Sequence, residues 1–449
     1  MKAKQVVTSF LKSEGKILIL KRSGEVGTHQ QRWAGVSGYL EKKEEPLTRA
    51  LKEIEEETGL TEDRVELLKA SEPIGIPDPE IETLWIVYPH LFKTQSREIE
   101  TDWEHTEHQW INPEDLAKYS AVPGLNETLQ KVLPTPIDKI TSAEKVIENV
   151  RMIESDRSHG ASWLAREAVK TLVEASEAYG LDNTEDYLTR LKLLAEHLMN
   201  LRPSMAPLNN QVGELLYRMV EKSKTTSNLD DMKRFVKSEA ESLNRESEEA
   251  AKGIAENVLK LIPKQATILT HSYSSTVIEA LKLAHDRKKD IQVFVTESRP
   301  LFEGRTTAKE LTEYGVPTTL VTDAAAGFFA GNARLVLLGA DSLLADGSLI
   351  NKAGTYPIVL AAAYQGIPVY VAAELSKVNL RSYFTRILLE EKDRSEVWPD
   401  GPDKISIRNL YFDITPKFFI TGIVTESQRM RPDELLQICR EIIKNRYIV

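Results

Sequence analysis

Three carboxylates, Glu53, Glu56 and Glu57, stand at i, i+3 and i+4 in the segment Lys52-Glu53-Ile54-Glu55-Glu56-Glu57. In a helix those positions share one face. Like charges so close repel, and a surface helix gains nothing from them alone. A hard divalent cation such as Mg²⁺ neutralises them, because it is bound through clustered carboxylate oxygens. The spacing predicts metal-assisted phosphate chemistry near the N-terminus. A second group of candidates follows short apolar runs later in the chain: Ser272-Tyr273-Ser274-Ser275, Glu297-Ser298-Arg299, Asp323, Gly339-Ala340-Asp341 and Glu374-Leu375-Ser376-Lys377. Ser274 and Ser275 can open a helix and present N–H groups to a phosphate. Arg299, Lys352 and Lys377 are cations that can meet a second phosphate. Asp341 follows a purely apolar run, which would desolvate it and let it titrate near neutrality as an acid/base for a sugar. On composition alone, a helix cap or a loop brace is an equal reading of that aspartate.

The elements that must position these groups are visible in the hydrophobic pattern. Gln5 to Leu11 and Lys16 to Lys21 read as two strands around a turn at Glu14-Gly15. Pro46 suits the first turn of a helix and Gly59 suits its end. Val65 to Leu68 and Thr83 to Phe92 are further β-rich segments. Leu133-Pro134-Thr135-Pro136 is a linker signal, since two prolines within three residues stop a helix. Beyond it the period is helical: Leu164, Ala168 and Leu172 recur, then Leu188, Leu191, Leu194 and Leu198. Asp230 to Leu261 reads as one extended helix, or two joined near Gly253. From Ala266 short β-branched runs alternate with helical patterns: Ala266–His271, Ile291–Thr296, Thr318–Thr322, Leu335–Leu338 and Val369–Ala372. That alternation predicts a parallel sheet with helices on both faces, in which ligands sit beyond the carboxyl ends of the strands.

A chain of 449 residues calls for two or three domains. Its net charge of −10 argues against a protein that coats nucleic acid. No apolar run approaches the roughly 18 residues that span a membrane, and no signal peptide pattern opens the chain. The single cysteine, Cys439, lies at helical spacing in LLQICREII, which favours a buried, inert thiol. One cysteine excludes internal disulfides and fits a reducing cytoplasm.

The stretch from Gly38 to Leu60 resembles the Nudix box, G-x5-E-x7-R-E-U-x-E-E-x-G-U with U apolar. Gly38, Glu44, Glu53, Ile54, Glu56, Glu57, Gly59 and Leu60 match, and Lys52 stands where the family has arginine. The resemblance implies an α/β/α sandwich. It also implies Mg²⁺, with Mn²⁺ as an alternative, held by Glu53, Glu56 and Glu57 with help from the Gly38 carbonyl. In the family the arginine pairs with the first glutamate of the box, here Glu44; lysine keeps the charge without the bidentate fork. Lys21-Arg22-Ser23 and Arg32-Trp33 are candidate phosphate and base contacts. Pro77 to Glu80 is a candidate specificity loop.

From Ile147 to Val449 the chain is similar to the initiation factor 2B α, β and δ subunits and the related ribose-1,5-bisphosphate and methylthioribose-1-phosphate isomerases. THSYSSTV, TESRP, GADSLLADGSLINKAGT and AAELSK carry that likeness. It implies a phosphate site at Gly160-Ala161, a substrate arginine at Arg202, and substrate contacts at Asn351, Lys352 and Lys377. Asp341 falls at the isomerases' proton donor. Their cysteine is replaced by Ser272, which needs an adjacent base to act at neutral pH. His271, its neighbour, would point to the opposite face of a strand.

The combined expectation is an α/β protein with a Nudix α/β/α sandwich at 1–132, a linker at 133–142, a helical subdomain at 143–262 and a Rossmann-like parallel-sheet domain at 263–449. Its function would be Mg-dependent pyrophosphohydrolysis of an ADP-ribose-like nucleoside diphosphate derivative, fused to a pocket for a sugar phosphate or nucleotide. The alternatives are an active aldose–ketose isomerase in the C-terminal part, or a regulatory module of translation-factor type. A cytoplasmic homo-oligomer with no membrane or nucleic-acid partner completes the expectation.

Overall fold

A computed structural model describes all residues except 1, 42–43, 72, 134–135, 157–158, 182, 203–204, 384–386, 388, 390, 403 and 448–449. Pro134 and Thr135 of the linker signal therefore lie outside the described residues, as do Lys42 and Lys43 of the box.

The N-terminal part is built on a mixed sheet. Its strands are β1 (Lys2–Ser13), β2 (Lys16–Arg22), β3 (Trp33–Ala34), β4 (Val36–Tyr39), β5 (Val65–Ala70), β6 (Ile74–Asp78), β7 (Thr83–Thr94) and β8 (His105–Ile111). The order is β3-β2-β1-β7-β5, with β4 on β1, β6 on β7 and β8 on β2. The turn between β1 and β2 has positive φ at Glu14 and Gly15, as the sequence suggested. Strand alternation splits the core into two layers. Leu18 and Leu20 of β2 face helix α1 (Pro46–Thr58) with Val7, Leu11, Ala50 and Ile54. Ile17 and Ile19 face helix α2 (Leu125–Val132) with Phe10, Leu91, Leu125 and Leu129. α1 begins on Pro46 and stops at Gly59, whose φ of 69° is left-handed.

Six helices follow: α3 (Ile137–Ile140), α4 (Glu144–Ser155), α5 (Ala161–Ala178), α6 (Thr184–Asn200), α7 (Ala206–Ser223) and α8 (Leu229–Leu259). The Asn183 side chain caps α6 by accepting from the Asp186 N–H at 2.8 Å, and Asn228 caps α8 from Asp231 at 2.9 Å. Leu164, Ala168 and Leu172 of α5 and Leu191, Leu194 and Leu198 of α6 are buried together, which accounts for their spacing. α8 is one unbroken helix of 31 residues. Gly253 does not break it; a Cβ there would stand 3.0 Å from the Glu426 carbonyl oxygen, so glycine serves a close approach of the helix to the turn after Val424.

The remainder carries strands β9 (Thr267–Thr270), β10 (Gln292–Thr296), β11 (Thr318–Val321), β12 (Leu335–Leu338), β13 (Ser342–Leu344), β14 (Leu349–Lys352), β15 (Val369–Ala372), β16 (Val378–Asn379), β17 (Phe412–Thr415), β18 (Gly422–Val424) and β19 (Arg429–Met430). Helices α9 (Ser275–Asp286), α10 (Glu303–Tyr314), α11 (Ala326–Gly331), α12 (Thr355–Tyr364) and α13 (Leu435–Tyr447) connect or follow them. The main sheet runs β11-β10-β9-β12-β15-β18-β19, parallel except for β19. The five runs read from the sequence are β9, β10, β11, β12 and β15. The small sheet β16-β13-β14-β17 has no counterpart in that reading. Its strands are two to four residues long, too short to show a period. The chain winds one way from β9 to β10 and the other from β9 to β12, so a crevice opens beyond the ends of β9 and β12.

Candidate active site and candidate ligand pocket

In the N-terminal part, α1 turns Glu53 and Glu57 inward against β4 and leaves Glu56 exposed. Glu57 is 3% exposed, and its Oε1 accepts from the Ser37 N–H at 3.1 Å. Its Oε2 has no hydrogen-bond partner among the described residues and stands 3.6 Å from His105 Nε2. His105 Nδ1 in turn lies 2.9 Å from Asp102 Oδ1. Burial above all, with the Glu53 charge next, raises the Glu57 pKa well above the usual carboxylate range. Glu53 is also raised, first by burial, while the Arg49 guanidinium paired with it pulls the other way. Gly38 lies under the Glu53 side chain. A Cβ at that position would fall 1.6 Å from Glu53 Oε1, so any side chain there would displace the carboxylate from its present place.

A cavity of about 260 Å³ opens here. Gly38, Glu53, Glu56, Arg22, Arg49 and Glu104 line it together with His29, Tyr39 and Trp85. Glu57 is not among its lining residues and lies behind the wall, so the three box glutamates do not present one equivalent face. Among the described residues no three His, Cys, Asp or Glu side chains converge as a closed metal shell. The donor set nevertheless suits a hard cation. Two buried carboxylates repel each other, one oxygen is bare, and a glycine cradle keeps the space beside them clear.

The brace implied by the resemblance takes another form. Lys52 Nζ stands 3.7 Å from Glu56 Oε1, and Glu44 accepts from the Glu41 N–H at 3.0 Å. Arg22 lines the cavity, with its Nε donating to the Thr28 carbonyl at 3.1 Å. Lys21 pairs with Glu107 instead, and Ser23 accepts from the Glu25 N–H. Arg32 lies 3.5 Å from Glu80, and Trp33 is a core residue, edge-on to Tyr119. The candidate specificity loop acts through Asp78. Fully buried, Asp78 takes His29 Nε2 at 2.6 Å and Trp85 Nε1 at 2.9 Å, fixing two rings that line the cavity. The sequence reading missed Arg49, although it sits four residues before Glu53, a spacing that signals a helical ion pair. Glu104 had no local signal, because the fold carries it in from the loop before β8.

In the C-terminal part a second, smaller cavity of about 40 Å³ occupies the crevice beyond β9 and β12. Gly160, Arg202, Ser272, Asp341 and Lys352, all sequence candidates, line it together with Asp156, His159, Tyr273, Glu303 and Tyr411. Asp341 is tied to β14 by its N–H on the Ile350 carbonyl at 3.0 Å. Arg202 donates from Nε to the Ile153 carbonyl at 3.3 Å and also to the Asp156 carbonyl, at the C-terminal end of α4. There the helix dipole favours a cation. Pro203 and Ser204, beside it, lie outside the described residues.

The other candidates stand back from the cavity. Lys377 Nζ donates to the Ala340 carbonyl at 2.7 Å and so holds the residue before Asp341. Asn351 donates to Thr355 Oγ1 at 3.0 Å, and Ala161 is buried in the first turn of α5. Ser274 caps α9 from the turn before it, and Ser275 is the first residue of that helix. Arg299 donates to the Val397 carbonyl and lies over the Phe302 ring. His271 is buried, with Nδ1 at 2.5 Å from Thr296 Oγ1 and Nε2 at 3.1 Å from the Ala353 carbonyl oxygen; burial lowers its pKa. It diverges from Ser272 because Ser272 has a left-handed φ of 65° after β9 has ended, rather than by strand alternation. Cys439 is fully buried and its thiol is pushed up to about 11 by burial, as an inert core residue would be.

Residues 2–132 match the NUDIX domain and residues 157–432 match the initiation factor 2 subunit family. The chain is 36% identical over 283 residues to a putative translation initiation factor eIF-2B subunit 2-like protein of Pyrococcus horikoshii, covering 63% of this chain and 95% of the relative. It is 33% identical over 293 residues to the ribose 1,5-bisphosphate isomerase of Archaeoglobus fulgidus, covering 65% and 91%. The crystal structure of the Pyrococcus horikoshii translation initiation factor eIF-2B has a TM-score of 0.57 and 34% identity, covering 66% of this chain and 99% of that one. The chain therefore belongs to the initiation factor 2 subunit family and carries a NUDIX domain ahead of the matching region.

Proposed function

We propose that the N-terminal part is a Mg²⁺-dependent pyrophosphohydrolase of a nucleoside diphosphate linked to another group, of ADP-ribose type. The observation that supports this most is the pair of buried, mutually repelling glutamates of α1, one of them packed into the space that a side chain at Gly38 would take. Glu53, Glu56 and Glu57, with the Gly38 carbonyl, would hold the ion; Mn²⁺ is the alternative. An ion held there would supply polarisation of the diphosphate and a lowered pKa for an attacking water. Arg22 and Arg49 offer cations to the phosphates, and Tyr39 and Trp85, which line the same cavity, offer aromatic surface to a base. One carboxylate, in the box or on a later loop, would take the water's proton; that Glu104 lines the same cavity from such a loop supports it in that role. Incubation of the full chain with nucleoside diphosphate derivatives and Mg²⁺ or Mn²⁺, with products identified by mass, tests this. Cleavage of a pyrophosphate bond is expected; a panel left intact with both metals would overturn it.

The C-terminal pocket is proposed to bind a sugar phosphate or nucleotide without isomerising it. Ser272 stands at the position of the isomerases' cysteine, and His271 is engaged elsewhere, which supports binding over catalysis. The proposed assembly is a cytoplasmic homo-oligomer, measurable by light scattering. No helix among the described residues is long and apolar enough to cross a membrane.

A further inference from the structure

Glu303 is the first residue of α10, on the wall of the C-terminal pocket. Its Oε1 accepts from Lys352 Nζ at 2.7 Å and from the Tyr411 hydroxyl at 2.9 Å. Its Oε2 is buried and has no hydrogen-bond partner among the described residues. Lys352 is 2% exposed, and its ammonium lies 3.4 Å from the centre of the Tyr411 ring. Burial lowers the Lys352 pKa while Glu303 opposes that shift. Lys352 and Tyr411 are thus desolvated donors that an anionic ligand group would use, and Glu303 already takes the Tyr411 hydroxyl and one donor of the Lys352 ammonium.

Charge and space agree. Asp156, Glu303 and Asp341 line the pocket against Arg202 and Lys352, so a dianionic phosphate would enter an environment already rich in carboxylate. The free space of about 40 Å³ holds about one water, against the roughly 300 Å³ or more of a pocket for a small organic ligand. The Glu303 backbone has little freedom to yield. A Cβ on Gly304 would fall 1.7 Å from the Thr296 carbonyl oxygen, so the start of α10 is pressed onto the end of β10. What can move is the side chain.

We propose that Glu303 is an internal stand-in for the ligand's anionic group. It holds Lys352 and Tyr411 until a phosphate displaces it, and so sets both the affinity of the pocket and its selection by ligand charge. This rests on the reading of the pocket as a sugar-phosphate site. Glu303→Gln keeps the side chain's size and removes its charge. Titration calorimetry of the full chain with ribose 5-phosphate should then show at least about tenfold tighter binding, the scale of one charge-assisted hydrogen bond, with neutral ribose unaffected. On a Lys352→Met background the same substitution should bring a smaller gain, since only the Tyr411 hydroxyl is then released, and circular dichroism checks that each variant is folded. Wild-type binding that Glu303→Gln leaves unchanged or weakens would overturn the stand-in role and leave the pocket reading intact. An equal gain on the Lys352→Met background would also overturn it, because Glu303 would then act elsewhere. No binding by either wild type or Glu303→Gln would remove the pocket reading, and the stand-in role with it.

Discussion

The candidate active site and the candidate ligand pocket each set a glutamate against a cation, and they resolve the pairing in opposite ways. In the N-terminal cavity Arg49 meets Glu53, but Glu57 behind it keeps a bare oxygen, and about 260 Å³ stays open. In the C-terminal pocket Glu303 meets Lys352 and Tyr411, and about 40 Å³ is left. The first has carboxylate in excess and room for a cation with its phosphate ligand. The second has its key donors already occupied. Counting charged residues would not separate the two; the unpaired oxygens and the remaining volume do.

A large effect should come from removing the excess buried charge itself. Glu53→Gln should lower pyrophosphate hydrolysis about 10³-fold or more, if charge stabilisation there is worth several kcal/mol, in steady-state assays on a substrate found by the screen. Retained turnover would erase the contrast between the cavities. Gly38→Ala follows, at roughly 10²-fold in kcat, because the added methyl must push Glu53 aside. A cost of about 1–3 kcal/mol in denaturant unfolding should accompany it.

A third effect lies where the two parts touch. Asn126 of α2 donates to Glu196 of α6, and burial raises the Glu196 pKa to about 7. A folded-state pKa above the unfolded value favours the protonated acid in the folded chain. That stabilisation is complete below about pH 4.5 and is lost as pH rises through about 7. It amounts to on the order of 3 kcal/mol. Glu196→Gln should flatten this part of the profile of unfolding midpoint against pH; an unchanged slope would place the titration elsewhere. The smallest effect is expected for Lys52→Arg. Lys52 meets Glu56 at the surface rather than Glu44, so restoring the family's residue should change stability by less than about 0.5 kcal/mol.

The fold was legible wherever burial imposes a period. Leu18 and Leu20 alternate with Ile17 and Ile19 because two helices cover the two faces of one sheet. The parallel strands were legible as apolar runs for the same reason. The small sheet was not, since strands of two to four residues carry no period. Among site residues, Glu53 and Glu57 stood out because helix spacing is a local property, and Gly38 because it stands at a fixed position of the box; its contact with Glu53 forms only in the folded chain. Glu303 and Tyr411 are 108 residues apart and meet only in the folded chain. Glu57 looked equivalent to Glu53 because spacing sets the face of a helix without setting how deep each position lies against its neighbour.

The most direct test compares wild type and Glu56→Gln in the Mg²⁺-dependent hydrolysis of one nucleoside diphosphate derivative, with unfolding midpoints measured alongside. Glu56 is exposed on α1 and lines the N-terminal cavity, so its replacement should abolish turnover and leave the midpoint within about 1 kcal/mol of wild type. A folded Glu56→Gln protein that hydrolyses at the wild-type rate would contradict the assignment of this helix as the catalytic one.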